Sequence, residues 1–453
     1  MTVPSHELPR RVLCALAAGG GGPVAVRCLR DAELSRTRLL MHHIVERSAA
    51  VRHPHAALVG RAFAVLLDVE RAAAASVVAL LAHPAVAAWA VHTVRTLHGA
   101  QPDGANPGFM AAVAASAAAR AGLPALVDVP ANPDGGRHIA LPGVGWFDAG
   151  AAALLRLRTG PGGEPEPVAV PAGGGPRWHP AVRIDTTHDG LRLAADLDFA
   201  SWHHALGAAY CAERGVGPGE PEPDRWRDGL AAAWALLGSH HRGTAHEVAA
   251  ALRVLVPLAD PAQGTTSSTF AGAFGAVALS APAGPRTTAL ALAHELQHSK
   301  FIVLARLHPL LGEEAPGELY YAPWRSDPRP LGALLDGAYA FLAVARFWRT
   351  QRLVEADPQS KDEADVQFHR WAGATHDVAQ MLLRHPALTD MGRFVTARML
   401  ARVHRWRQEP ASERAAAAAR DAAAAHLAEW RRTHPHGADA WYSSSTLVAC
   451  RTP

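Results

Sequence analysis

Cysteine is scarce in this chain of 453 residues, which holds only Cys14, Cys28, Cys211 and Cys450. No two of them form a CxxC pair, so a zinc ribbon, an iron–sulfur cluster and a disulfide framework are all disfavoured. A reducing, cytoplasmic compartment fits this usage. Lysine is nearly absent and arginine carries the positive charge. With the heavy load of Ala, Gly and Pro, that reads as coding bias rather than function. Charge of one sign is also lacking. The formal net charge is +3 and no block of like charge stands out, so no nucleic acid is expected as partner, because phosphate binding needs a concentrated basic face. No apolar stretch of membrane-spanning length is free of charges or His, so no membrane is expected either. Arg10 and Arg11 precede a short apolar run, Val12 to Ala18, but four Gly follow it without a cleavage pattern. It is not read as a signal peptide.

What is present is apolar surface. Some 49% of the residues are hydrophobic, enough for a large core and for roughly two to three domains. The expected class is mainly α with a small mixed or antiparallel sheet, α+β. Residues 1–130 read as a helical region, with helical apolar spacing over Glu33–Ala50 and Ala56–Ala82. Residues 131–260 read as strands, loops and helices. Short runs such as Val168-Ala169-Val170 and the alternation over Arg183–Phe199 suggest strands, and helices are expected over Asp224–Ser239 and Thr244–Leu255. Residues 261–352 hold the chemistry. Residues 353–453 are helical and rich in Ala and Arg.

The informative segment begins with a strand expected over Phe274–Ser280. A Pro/Gly turn follows, then a helix from about Thr288 to Leu307 with Thr287 and Thr288 offered as caps. That helix contains His294-Glu295-Leu296-Gln297-His298, an H-E-x-x-H pattern. At i and i+4 the imidazoles share one helix face and can share one metal ion, while Glu295 points to a flank. With 26 His in the chain, five letters can match by accident. The adjacent pairs His42-His43, His203-His204 and His240-His241 carry no such meaning, since neighbouring helical positions do not face each other. Context favours the motif: its helix is otherwise apolar, and buried polar groups need a partner. His246-Glu247 fails the pattern, ending in Ala250.

A third ligand must come from elsewhere. The spacing of thermolysin-like peptidases lands on Glu318, crowded by Pro316, Gly317 and Pro323. Asp336 lies in the next expected helix, Leu331–Arg352, as an acidic residue among apolar ones, and is favoured over Glu318.

Three blocks carry a resemblance: Ala293 to Ser299, Tyr320-Tyr-Ala-Pro-Trp-Arg-Ser-Asp-Pro-Arg-Pro330, and Leu334-Leu-Asp-Gly-Ala-Tyr-Ala-Phe341. Together they resemble the HExxH-motif peptide-modification proteins of ribosomal peptide clusters, viewed as iron(II)- and 2-oxoglutarate-dependent peptide β-hydroxylases on a gluzincin-like core. The strong similarity covers about Ser267 to Trp348. It implies Fe(II) held by His294, His298 and Asp336, the two-His-one-carboxylate set of non-haem oxygenases, with 2-oxoglutarate and O2 as cosubstrates and a precursor peptide as substrate. It further implies an Arg for the distal carboxylate of 2-oxoglutarate, with Arg325 and Arg329 as candidates, and Tyr321 and Trp324 as pocket walls. Glu295 would orient a ligand or water. Two alternatives stay open: a zinc peptidase with Glu295 as general base, and a peptide-binding protein without catalysis. In each, the strand before the metal helix would take an extended peptide along its edge. The sequence leaves the oligomeric state open.

Overall fold

The computed structural model describes residues 6–131, 138–150, 152–168, 175–206, 208–213, 215–216, 222–262, 264–313, 318–410, 412–434 and 450–451. The fold is α+β, 61% helical and 15% strand. In chain order the helices are α1 (Arg10–Ala17), α2 (Gly22–Ala50), α3 (Ala56–Leu81), α4 (Pro84–Leu97), α5 (Phe109–Ala121), α6 (Ala200–Leu206), α7 (Ala208–Glu213), α8 (Pro223–His240), α9 (Arg242–Ala251), α10 (Pro285–Leu307), α11 (Leu331–Val354), α12 (Pro358–Leu383), α13 (Asp390–Arg407) and α14 (Glu413–Thr433).

Two compact units share the chain. One comprises residues 1–29, 235–250 and 289–453, the other residues 30–234 and 251–288. The divisions fall inside α2, α8 and α10 and between the last two residues of α9, so neither unit is one continuous stretch of the chain. Long helices carry the chain from one unit to the other without a composition change to mark it.

The larger unit holds three sheets. The strands are β1 (Ala125–Pro130), β2 (His138–Leu141), β3 (Gly145–Asp148), β4 (Leu154–Thr159), β5 (Glu166–Pro167), β6 (Arg177–Pro180), β7 (Val182–His188), β8 (Leu191–Leu197), β9 (Val254–Leu258), β10 (Ser267–Ser268) and β11 (Ala276–Ser280). Two sheets are three-stranded and antiparallel, in the orders β1-β4-β5 and β2-β3-β6. The third is mixed, in the order β10-β11-β9-β8-β7. Its parallel pairs, β11 with β9 and β9 with β8, put β9 and β11 in the interior, where every residue of both is buried. A near-continuous apolar run is what a strand covered on both faces requires. Helix α5, Ala-rich and buried over nearly all its length, is apolar all round for the same reason.

Several expectations change here. β11 is not an edge for an added peptide strand: it pairs with β9 along its length and with β10 at Ala278 and Leu279. α9 stops at Ala251 and Val254–Leu258 is a strand. Its β-branched and leucine run is better satisfied in the sheet than on a helix. α10 starts at Pro285 rather than at a Thr cap, because Pro fits the first helical turn, where its missing N–H costs nothing. Thr288 is instead wholly buried. In the strand expected at Val168–Val170, Ala169 and Val170 lie outside the described residues.

The helical unit holds α1, most of α9 and of α10, and α11 to α14. α11 packs on α12, which also packs on α13 and α14, and α1 packs on α13. Side-chain caps start three of these helices: Asp357 accepts from the Ser360 N–H, Thr389 from Gly392 and Ser412 from Ala415. Among the described residues α11 alone is, as a single helix, long and apolar enough to cross a membrane, and 72% of its apolar window is buried within the protein.

Candidate metal centre

Between Ala291 and Lys300 only His294 and His298 are partly exposed; the other residues of this stretch are buried. Over this stretch α10 is thus packed all round except along the strip that carries the two imidazoles. Their Nε2 atoms approach to 3.1 Å, with the rings nearly perpendicular. Two ring nitrogens at that distance repel unless a proton or a cation lies between them. With metal–nitrogen bonds of about 2.1 Å, two imidazoles on one ion put their nitrogens about 3.0 Å apart at a right angle and about 3.4 Å apart at the tetrahedral angle. The observed separation lies between those values, so this pair of donors fits a divalent transition metal.

The two rings differ electrostatically. Burial lowers the pKa of His294 to about 4, which keeps it neutral with a lone pair to give. Its Nδ1 is buried without a hydrogen-bond partner among the described residues. Burial also acts to lower His298, but its hydrogen bond to Asp336 and the charges of Asp336 and Glu295 outweigh it and raise the net value. Nδ1–H of His298 donates to Oδ1 of Asp336 at 2.8 Å.

That contact bears on the expected ligand set. The two nitrogens of an imidazole point from opposite edges, so a carboxylate oxygen on Nδ1 stands away from a metal at Nε2. In this arrangement Asp336 orients His298 and fixes its tautomer; direct ligation would require it to leave Nδ1. Glu318 is engaged elsewhere, accepting from the Tyr320 hydroxyl at 2.8 Å, and that hydroxyl is also 2.8 Å from Nε2 of His385. Among the described residues no group of three or more His, Cys, Asp or Glu side chains is arranged to hold an ion. Glu295 is 3% exposed and close enough to shift both imidazoles.

An aromatic wall stands over the pair. Phe341 meets His294 edge-on at 5.2 Å, Trp324 stacks on Phe341 at 4.6 Å and Trp371 lies 4.8 Å from Phe341. Gly337 makes room for it: a Cβ there would come within 2.6 Å of the Trp324 indole nitrogen. Alanine normally favours a helix over glycine by up to about 1 kcal/mol. Gly337→Ala is nonetheless expected to destabilise, by about 1–3 kcal/mol of overpacking, and to blue- or red-shift the tryptophan emission as Trp324 moves. A more stable variant with unchanged emission would contradict the close approach.

Arg325 and Arg329 both bind Asp327, through Nε at 2.6 Å and Nη1 at 3.1 Å. Their other N–H groups are not used by Asp327. Tyr321 is buried, and its hydroxyl is 2.7 Å from Nδ1 of His426. It lines a cavity of about 590 Å³ together with Pro323, Arg370, Trp371, Arg407 and Arg420. Trp371, His426 and the arginines of α12 to α14 carry no sequence signal; only their spatial convergence marks them.

Behind the strip, α10 is anchored by charge. Lys300, wholly buried, donates to Oε2 of Glu247 at 2.7 Å, and the Gly22 N–H donates to Oε1 at 2.8 Å. Gln297 Nε2 donates to the Gly19 carbonyl, which explains the polar residue inside the motif. Gly19 has φ of +72°, and a Cβ there would lie 2.8 Å from Leu342, so this turn needs glycine. Sequence reasoning set Glu247 aside as part of a failed motif; its partner lies 53 residues away.

No protein-family model and no curated protein matches this chain.

Proposed function

We propose that this protein is an iron(II)- and 2-oxoglutarate-dependent β-hydroxylase acting on a ribosomally made precursor peptide. The observation that supports it most is the convergence of the His294 and His298 Nε2 atoms at 3.1 Å, on a helix whose neighbouring blocks resemble that hydroxylase family. His294 and His298 would hold the metal. Bound iron(II) supplies redox chemistry by which one O2 is divided between the peptide, whose C–H becomes C–OH, and 2-oxoglutarate, which leaves as succinate and CO2. The chain's own residues do the positioning. Asp336 keeps the proton of His298 on Nδ1, leaving Nε2 free to donate its lone pair. Phe341, Trp324 and Trp371 shield one side from water. Arg325 and Arg329 would take the distal carboxylate of 2-oxoglutarate with the N–H groups that Asp327 leaves free.

As an orienting group, Asp336 has a distinct signature. Asp336→Ala is expected to weaken iron(II) binding about 10–100-fold while leaving measurable affinity and turnover. Loss of all binding would make it a ligand.

One observation favours a second reading, a zinc peptidase: Glu295 is buried beside both imidazoles, where a general base toward a metal-bound water would stand. The two readings part on Glu295→Gln. The hydroxylase is expected to keep hydroxylating with a moderate fall in rate. Complete loss of turnover in this variant, with peptide cleavage by the unaltered protein, would favour the peptidase.

A further inference from the structure

The cavity of about 590 Å³ beside Tyr321 belongs to the same compact unit as the histidine pair. Three helices each bring one arginine to it: Arg370 from α12, Arg407 from α13 and Arg420 from α14. The cavity and the histidine pair share a wall. Trp371 lines the cavity and lies 4.8 Å from Phe341, which in turn meets His294 at 5.2 Å. α14 turns one face to the cavity, with Ala416, Ala419, Ala423, Ala424 and Leu427 at the spacing of a single helix side. These short side chains leave open space around Arg420, the one charge on that face. On α12, a Cβ at Gly373 would meet nothing within 4 Å.

The charges in the lining do not cancel. Its two carboxylates are Asp377 and Glu409. Glu409 is held by arginines outside the lining: Oε1 accepts from Arg349 Nε and Oε2 from Arg352 Nη2, each at 2.6 Å. Asp377 Oδ1 is 3.9 Å from Arg407 Nη1, which is also 2.6 Å from Nδ1 of His376. Arg407 is thereby engaged. Arg370 holds its guanidinium 4.5 Å from the centre of the Trp371 ring. Neither Arg370 nor Arg420 has a carboxylate partner among the described residues. Arg370 is half-buried and Arg420 exposed, so both can be reached from the cavity. A guanidinium laid on an aromatic face keeps its edge N–H groups for an anion. Two such groups without counter-charge, between aromatic and methyl walls, complement carboxylates carried on an apolar body. The volume falls in the range of pockets that take drug-sized ligands, more than a five-carbon diacid fills and enough for a few peptide residues.

We propose that this cavity takes an acidic segment of the substrate peptide, with Arg370 and Arg420 binding its carboxylates and Trp371 and Tyr321 as apolar walls. That the peptide bound here is the one modified rests on the hydroxylase reading; the binding itself does not.

The test is calorimetric titration of the full chain without added iron(II) or 2-oxoglutarate, so that its outcome is separate from that of a hydroxylation assay. The probes are blocked alanine pentapeptides carrying two glutamates, adjacent or one residue apart, the glutamine version of each, and glutarate. At least one glutamate peptide is expected to bind about tenfold or more tightly than its glutamine version and than glutarate, as charge-assisted hydrogen bonds to guanidinium provide. The double variant Arg370→Gln, Arg420→Gln is expected to lose that preference. Gly373→Leu fills the open space with a better helix former, and is expected to weaken binding without lowering the melting temperature. Equal binding of glutamate and glutamine peptides, no binding of any glutamate peptide, or an unchanged preference in the folded double variant would overturn the proposal. Tighter binding of glutarate than of every peptide would also overturn it, and make a free diacid the occupant. The comparison of glutamate with glutamine peptides uses the unaltered protein, so it decides even if the variants do not fold.

Discussion

His294→Ala and His298→Ala are each expected to lower affinity for iron(II) by more than roughly 100-fold, beyond what loss of a mere orienting partner costs, and to abolish turnover. The reason is geometric. The two Nε2 atoms face each other at 3.1 Å, and the described residues offer no third donor grouped with them, so neither imidazole has a substitute. Both side chains stand on the partly exposed strip of α10. Alanine is a strong helix former, so the fold is expected to persist in both variants. Metal content after gel filtration, beside a thermal melt, separates the two effects. A double variant that still carries a full equivalent of metal would show that the pair is not the site.

Lys300→Met is the second large effect. It leaves Glu247 buried and charged with only the Gly22 N–H and more distant cations to compensate it. Breaking a buried ion pair by removing one partner costs about 3–5 kcal/mol, a large share of a typical domain's stability. The double variant Lys300→Met, Glu247→Met is expected to recover most of that loss, because burying the pair already carried a desolvation penalty. Burial acts to raise the Glu247 pKa, but the Lys300 charge foremost, then Arg346, outweighs it and the net value is lowered. A carboxylate lowered on folding contributes stability above its unfolded pKa, and that stability is lost as pH falls through the folded value. Unfolding by acid is therefore expected to come at lower pH in the double variant, relative to its own stability at neutral pH, than in the unaltered protein. A single variant as stable as the unaltered protein would contradict the anchoring role.

The helices and the convergence of His294 and His298 were legible because both are local. Apolar spacing over Ala56–Leu81 and Leu331–Val354 repeats within a few residues, and an i, i+4 histidine pair needs only one helix to bring it together. What was not legible depends on distance or on single atoms. Nothing local says that Glu247 closes on Lys300, or that Trp324 needs the bare backbone of Gly337. The sequence places Asp336 near the histidine pair, yet whether its oxygen meets Nδ1 or Nε2 of His298 is decided by side-chain placement between two helices. β11 looked like an edge because its neighbours β9 and β10 come from segments whose periodicity is ambiguous: a short apolar run that also suits a helix, and two serines in a polar loop.

The most direct measurement of the central claim is the mass of a substrate peptide after reaction. Any short peptide found encoded beside this gene is mixed with the protein under anaerobic conditions with iron(II) and 2-oxoglutarate, and O2 is then admitted. The account predicts an intact peptide heavier by one oxygen atom derived from O2, with one succinate formed per hydroxylation and no reaction when 2-oxoglutarate is withheld. Two peptide fragments formed with zinc, independent of O2 and 2-oxoglutarate, would contradict it.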